Sequence, residues 1–145
     1  MIAIDTNLLV YAHRRQLPEH GPARRAIERA AGSGAGWGIA LASVAEFWSV
    51  VTHPAAPRAS TAAEAAGYLA ALIGDGGGEL WVPRPGFGDR LLQQSQHLSV
   101  RGPRIFDLQI ALTAAEHGAS EVWTHDRGFV TVPGLRVRHP LVEGR

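Results

Sequence analysis

Apolar residues recur along this chain in two rhythms. Short runs such as Ile2-Ala3-Ile4 and Leu80-Trp81-Val82 are bounded by an acid or a proline, and they have the length of strands. Strands are predicted over residues 1–5, 37–40, 79–82, 121–124 and 135–138. Longer stretches space their apolar residues three and four apart, as one face of a helix requires. Helices are predicted over residues 6–13, 21–31, 42–53, 61–73, 87–100 and 104–117. The clearest stripe is Leu41, Val44, Phe47, Trp48 and Val51, which is expected to pack inward.

Polar punctuation supports these boundaries. Pro22 suits a first helical position. Thr61-Ala62-Ala63-Glu64 has capping-box spacing. His53-Pro54 ends one helix, and Gly118 stands where a left-handed residue closes another. Strands separated by helices predict a three-layer α/β/α fold around a small, mostly parallel sheet. With 145 residues, no repeat and no long linker, the chain reads as one domain, residues 1–145.

Composition narrows the chemistry. There is no cysteine, which excludes disulfides, thiolate metal sites and cysteine nucleophiles. All 14 basic residues are arginine. Without lysine there is no Walker A loop and no Schiff-base chemistry. Arginine matches phosphate oxygens well, although a GC-rich coding bias would enrich it equally. The chain starts without a basic leader, and no apolar run approaches the ~18 residues of a membrane span. A cytoplasmic protein without a membrane partner is expected. The seven histidines show no His-Glu-x-x-His arrangement, so a zinc-protease site is not expected.

Four acids stand in unusual places. Asp5 ends the first strand, where an open parallel sheet places its ligands. Glu46 interrupts an apolar helix without a charged neighbour on its face. Asp107 lies in the first turn of an apolar helix, and Asp126 follows the strand at 121–124. Each has a simpler explanation, respectively a helix cap, a solvated face, a dipole partner and a turn. Together they match what phosphodiester hydrolysis needs, because carboxylates from distant segments can hold a hard divalent cation in one cleft.

In Asp5-Thr6-Asn7-Leu8-Leu9-Val10-Tyr11-Ala12, Ser43-Val44-Ala45-Glu46-Phe47, Phe106-Asp107-Leu108-Gln109-Ile110-Ala111 and Thr124-His125-Asp126-Arg127-Gly128-Phe129, the sequence resembles the PIN-domain nucleases. Within that family it resembles the VapC-type toxins of toxin–antitoxin pairs. The resemblance implies an endoribonuclease dependent on Mg²⁺, with Mn²⁺ as a substitute, that inhibits translation by cutting RNA. It also implies a cognate antitoxin and a homodimer. By matching position, Asp5 and Asp107 become the foremost metal ligands, Glu46 completes the acidic core, and Asp126 acts through water or on a second ion. Thr6, Asn7 and Thr124 become the polar support. Leu108 stands where many relatives have alanine, and its side chain is expected to face away from the cleft. Arg14, Arg15, Arg104 and Arg127 flank the motifs and are candidates for contact with the RNA backbone. His125 borders the acids.

Two other classes compete. One is an inactive module of the same fold that binds RNA or protein without cutting. The other is an acid-rich phosphohydrolase or receiver domain with an aspartate after its first strand. Receiver domains need a late lysine, and aspartate-nucleophile phosphatases want an acid where this chain has Asn7.

Overall fold

The first strand, β1 (Ile2–Ile4), is buried on both faces and forms the axis of the fold. A computed structural model describes residues 1–143. In them β1 is joined by β2 (Trp37–Ala40), β3 (Glu79–Trp81), β4 (Glu121–Trp123) and β5 (Arg136–Arg138). The strand order is β3-β2-β1-β4-β5, and every neighbouring pair is parallel. Seven helices among the described residues flank the sheet: α1 (Thr6–His13), α2 (His20–Gly32), α3 (Leu41–Val51), α4 (Ala62–Ile73), α5 (Phe87–His97), α6 (Arg104–Glu116) and α7 (Pro140–Glu143).

Alternation along the strands divides the core in two. Ile2, Ile4, Trp37 and Ile39 pack against Leu8 and Leu9 of α1, Ile27 of α2, Phe47 of α3 and Leu69 of α4. Ala3, Ala40 and Val122 face the other way, onto Leu108 and Ala111 of α6. The result is the expected α/β/α sandwich, with a sheet that is wholly rather than mostly parallel. Leu108 is fully buried in the second core, away from the acids. No helix among the described residues is long and apolar enough to cross a membrane.

Local signals place most boundaries. Thr61 and Glu64 exchange both capping-box hydrogen bonds at the start of α4. Gly118, at φ +86°, closes α6 with bonds from its N–H to Ala115 O and from Ala119 N to Ala114 O. Three expectations need correction. The helix expected over 87–100 stops at His97, because Ser99 turns left-handed at φ 50°. The helix expected over 42–53 begins at Leu41 and ends at Val51. Its packing also differs, since Phe47 and Val51 are buried whereas Leu41 and Trp48 are exposed. The helix carries apolar residues on two faces, and the sheet takes only one of them.

Candidate active site

Strand order reverses at β1, with β2 on one side and β4 on the other. Clefts for ligands form outside the carboxyl ends of strands at such a point. Ile4 is in register with Trp123, and Asp5 N donates to Trp123 O at 3.0 Å. Asp5 and Thr124 therefore leave the sheet side by side. α3 packs on α6, which brings Glu46 and Asp107 to the same opening. Asp5, Glu46, Asp107 and Asp126 line one pocket of about 310 Å³ together with Thr6, Asn7, Val10, Tyr11 and Val50.

Asp5 is fixed at both oxygens. Oδ1 accepts from Thr6 N at 2.7 Å, the capping contact. Oδ2 accepts from the Thr124 hydroxyl at 2.7 Å and from Asn7 Nδ2 at 3.1 Å. Asn7 Nδ2 also donates to Thr124 Oγ1, and Asn7 Oδ1 accepts from His125 N. Thr124 Oγ1 further accepts from Asp126 N at 3.0 Å. Thr124 and Asn7 thus tie the ends of β1 and β4 together. Asp5 is a helix cap and a pocket acid at once, so the two explanations do not compete.

Burial dominates the electrostatics. It pushes the Asp5 carboxyl up to about 6, opposed by the Thr124 and Thr6 hydrogen bonds and reinforced by the charges of Asp107 and Asp126. Glu46 is half-buried and also raised, by burial first and then by Asp5 and Asp107. It makes no hydrogen bond of good geometry among the described residues, although the nearby Thr6 hydroxyl opposes the rise. Asp126 is held below the usual carboxylate range, chiefly by Arg104.

The arginines separate. Arg104, a candidate for RNA contact, donates from Nη1 to Oδ2 of both Asp107, at 3.0 Å, and Asp126. Arg14 and Arg15 line a different cavity of about 610 Å³ with His13, His20, Arg24 and Arg58. Arg127 lies near His139 and Glu143. The His125 ring stands edge-on to Tyr11 and lines a further hollow with Pro18 and Leu141, outside the acid pocket.

The donors fit a hard divalent cation. They are carboxylate oxygens with no sulfur or nitrogen ligand among them. The Thr6 hydroxyl lines the same pocket, buried and without a hydrogen-bond partner. A buried Asp5 beside other acids is costly until a cation meets it. As the side chains stand, no three acids or histidines among the described residues enclose a common point. Asp107 and Asp126 each accept a hydrogen bond from Arg104 through one oxygen.

Val10, Tyr11 and Val50 escaped the sequence reading as pocket residues. The helical period was the available signal, because each lies four residues beyond Thr6, Asn7 or Glu46.

A family profile described as PIN domain matches residues 2–135. Ribonuclease VapC43 of Mycobacterium tuberculosis is 32% identical over 147 aligned positions, covering 97% of this chain and 96% of its own length. Among solved structures, VapC20 of Mycobacterium tuberculosis, a sarcin-ricin loop cleaving toxin, superposes with a TM-score of 0.67. It is 15% identical, over 91% of this chain and 98% of its own. VapBC2 from Rickettsia felis, bound to a DNA fragment from its promoter, gives a TM-score of 0.65 at 19% identity, over 95% of this chain and 98% of its own.

Proposed function

The chain belongs to the PIN-domain family, among relatives of the VapC type, and from that premise we propose that it is a divalent-metal-dependent endoribonuclease and the toxin of a toxin–antitoxin pair. The supporting observation is the meeting of four carboxylates from four separate segments in one pocket at the β1/β4 switch point. Asp5, Glu46 and Asp107 would hold the ion, magnesium first and manganese as its substitute. A cation there would supply charge for the phosphodiester and an acidified water.

The chain's own residues do the rest. Thr6, Asn7 and Thr124 hold Asp5 rigid, and such supporting contacts tune metal affinity strongly. Glu46, with neither oxygen held by a hydrogen bond of good geometry, is the carboxylate freest to turn toward an ion or a proton. Val10, Tyr11 and Val50 give the pocket an apolar wall that narrows the access of water. The arginine cavity at the far end of α1 supports an anionic polymer as substrate. Cleavage that leaves a 5′-phosphate and inhibits translation belongs to the same reading, as do one domain over 1–145 and a cytoplasmic site of action. A protein antitoxin is the proposed partner, a reading supported by the likeness to the VapBC2 structure. Self-association through the exposed Leu41–Trp48 face of α3 accounts for the expected homodimer.

The test is cleavage of RNA by purified protein with magnesium. Asp5→Asn and Asp107→Asn should each lose at least ~100-fold in rate, as removal of groups that stabilise developing charge does. Undiminished cutting by both variants would overturn the assignment. An uncut RNA that still binds would favour the inactive module.

A further inference from the structure

The side chain most firmly engaged by the acid cluster is Arg104. It is the first residue of α6, and its guanidinium meets two of the acids that line the pocket. Nη1 donates to Oδ2 of Asp107, three residues on, and to Oδ2 of Asp126, beyond β4. Asp126 Oδ1 is taken by Gly128 N at 2.8 Å, and Asp107 Oδ2 also accepts from Val130 N at 3.3 Å. The two facing carboxylate oxygens are thus already bridged, and by a group that does not deprotonate in proteins.

The guanidinium lies directly against Gly128. A Cβ placed on Gly128 would collide with Arg104 Nη2 and lie 2.9 Å from Cζ. Gly128 does not adopt a left-handed φ, so the backbone itself would accept alanine. The obstacle is the guanidinium lying against it. Stability is a weak reason for such a niche, because ion pairs with this much exposure contribute little.

We propose that Arg104 is the resident cation of the Asp107–Asp126 edge, so that the centre takes one divalent ion, on its Asp5–Glu46–Asp107 side. Asp126 then serves the site by holding Arg104 rather than as a ligand. Nε and Nη2 of Arg104 make no hydrogen bond among the described residues and remain available to a phosphate oxygen of the substrate. This inference rests on the reading of the pocket as a cation site. A second ion at that edge would have to displace a guanidinium from two carboxylates and a fitted niche.

The experiment counts ions without any turnover, by Mn²⁺ binding followed calorimetrically and by electron paramagnetic resonance. Wild type should bind one ion. Arg104→Ala and Gly128→Ala should each acquire a second, and Arg104→Lys, which keeps the charge, should remain at one. Asp126→Asn should weaken the wild-type ion by less than ~10-fold, whereas Asp107→Asn should weaken it far more. Two ions on wild type, a single ion on either alanine variant, a second ion on Arg104→Lys, or equal losses for the two Asp→Asn variants overturns the proposal and leaves the cation reading standing. No ion on wild type overturns both.

Discussion

The Thr124 hydroxyl donates a 2.7 Å hydrogen bond to Asp5 across 119 residues of sequence. The same oxygen accepts from Asn7 Nδ2 and from Asp126 N. One fully buried oxygen therefore organises three of the polar groups at the ends of β1 and β4. Thr124→Val keeps the shape and strands those partners. It should cost about 1–3 kcal/mol in urea denaturation, the penalty for buried polar groups left unpaired. It should also weaken Mn²⁺ binding by ~10-fold or more, because the carboxylate loses its orientation. Thr124→Ser should restore most of both. Unchanged stability and affinity in Thr124→Val would mean that the hydroxyl organises nothing.

The buried Asp5 carboxyl gives metal-free protein a characteristic pH dependence. Its pKa rises from 3.8 to about 6 on folding, so the folded state holds the proton to higher pH than the unfolded chain. Stability from this group is complete below pH 3.8 and is lost as pH climbs through about 6. The loss corresponds to about 3 kcal/mol. Asp126, lowered by Arg104, works with the opposite sign and loses its contribution as pH falls. Asp5→Asn should flatten the upper part of the profile and make metal-free protein at least as stable as wild type near about pH 7. Added Mn²⁺ should stabilise wild type there and leave the variant unmoved. Urea midpoints measured across the range, with and without the ion, provide the check.

What was legible in the sequence followed the range of the interactions. Thr61 and Glu64 act within one turn, and Gly118 acts on its own helix, so local pattern located both. Asp5 and Asp126 stood out because a strand ending in an acid is visible in a few residues. The face that α3 turns inward was not visible, because Phe47 and Trp48 are equally apolar and only the sheet chooses between them. The acid contacts of Arg104 were hidden for a related reason. A cation beside acid motifs reads as a substrate contact, and neither its bond to Asp126, 22 residues away, nor its close approach to Gly128 shows at that range.

That choice on α3 leaves Leu41, Ala45 and Trp48 exposed on one helix face. An exposed apolar helix stripe is a candidate for self-association. Trp48→Asp would place a charge in any interface formed there while leaving the core residues Phe47 and Val51 untouched. If wild type forms the dimer proposed above, light scattering should show the variant as monomer with an unaltered circular dichroism spectrum. A dimer that survives Trp48→Asp would move the interface to another face.

The arginine cavity makes a separable prediction about substrate affinity. Arg15 and Arg58 have no ion-pair partner among the described residues, while Arg14 is anchored on Val50 O at 3.1 Å. Val50 also lines the acid pocket, so the cavity and the pocket share a border. Arg58 adopts a left-handed φ of 54°, uncommon for a residue with a side chain. The unpaired guanidinium groups are explained if single-stranded RNA leaves the acid pocket along α1 and sets its phosphates on them. Arg15→Ala and Arg58→Ala, each placed in an Asp107→Asn background so that RNA is not consumed, should then weaken oligonucleotide binding. The salt dependence is the more telling measurement. Each lost phosphate contact should lower the slope of log affinity against log salt by about 0.7. An affinity loss with an unchanged slope would place these arginines off the RNA path. Arg58→Gly should relieve the backbone strain and stabilise the fold while still weakening RNA binding, which separates the electrostatic role from any effect on folding.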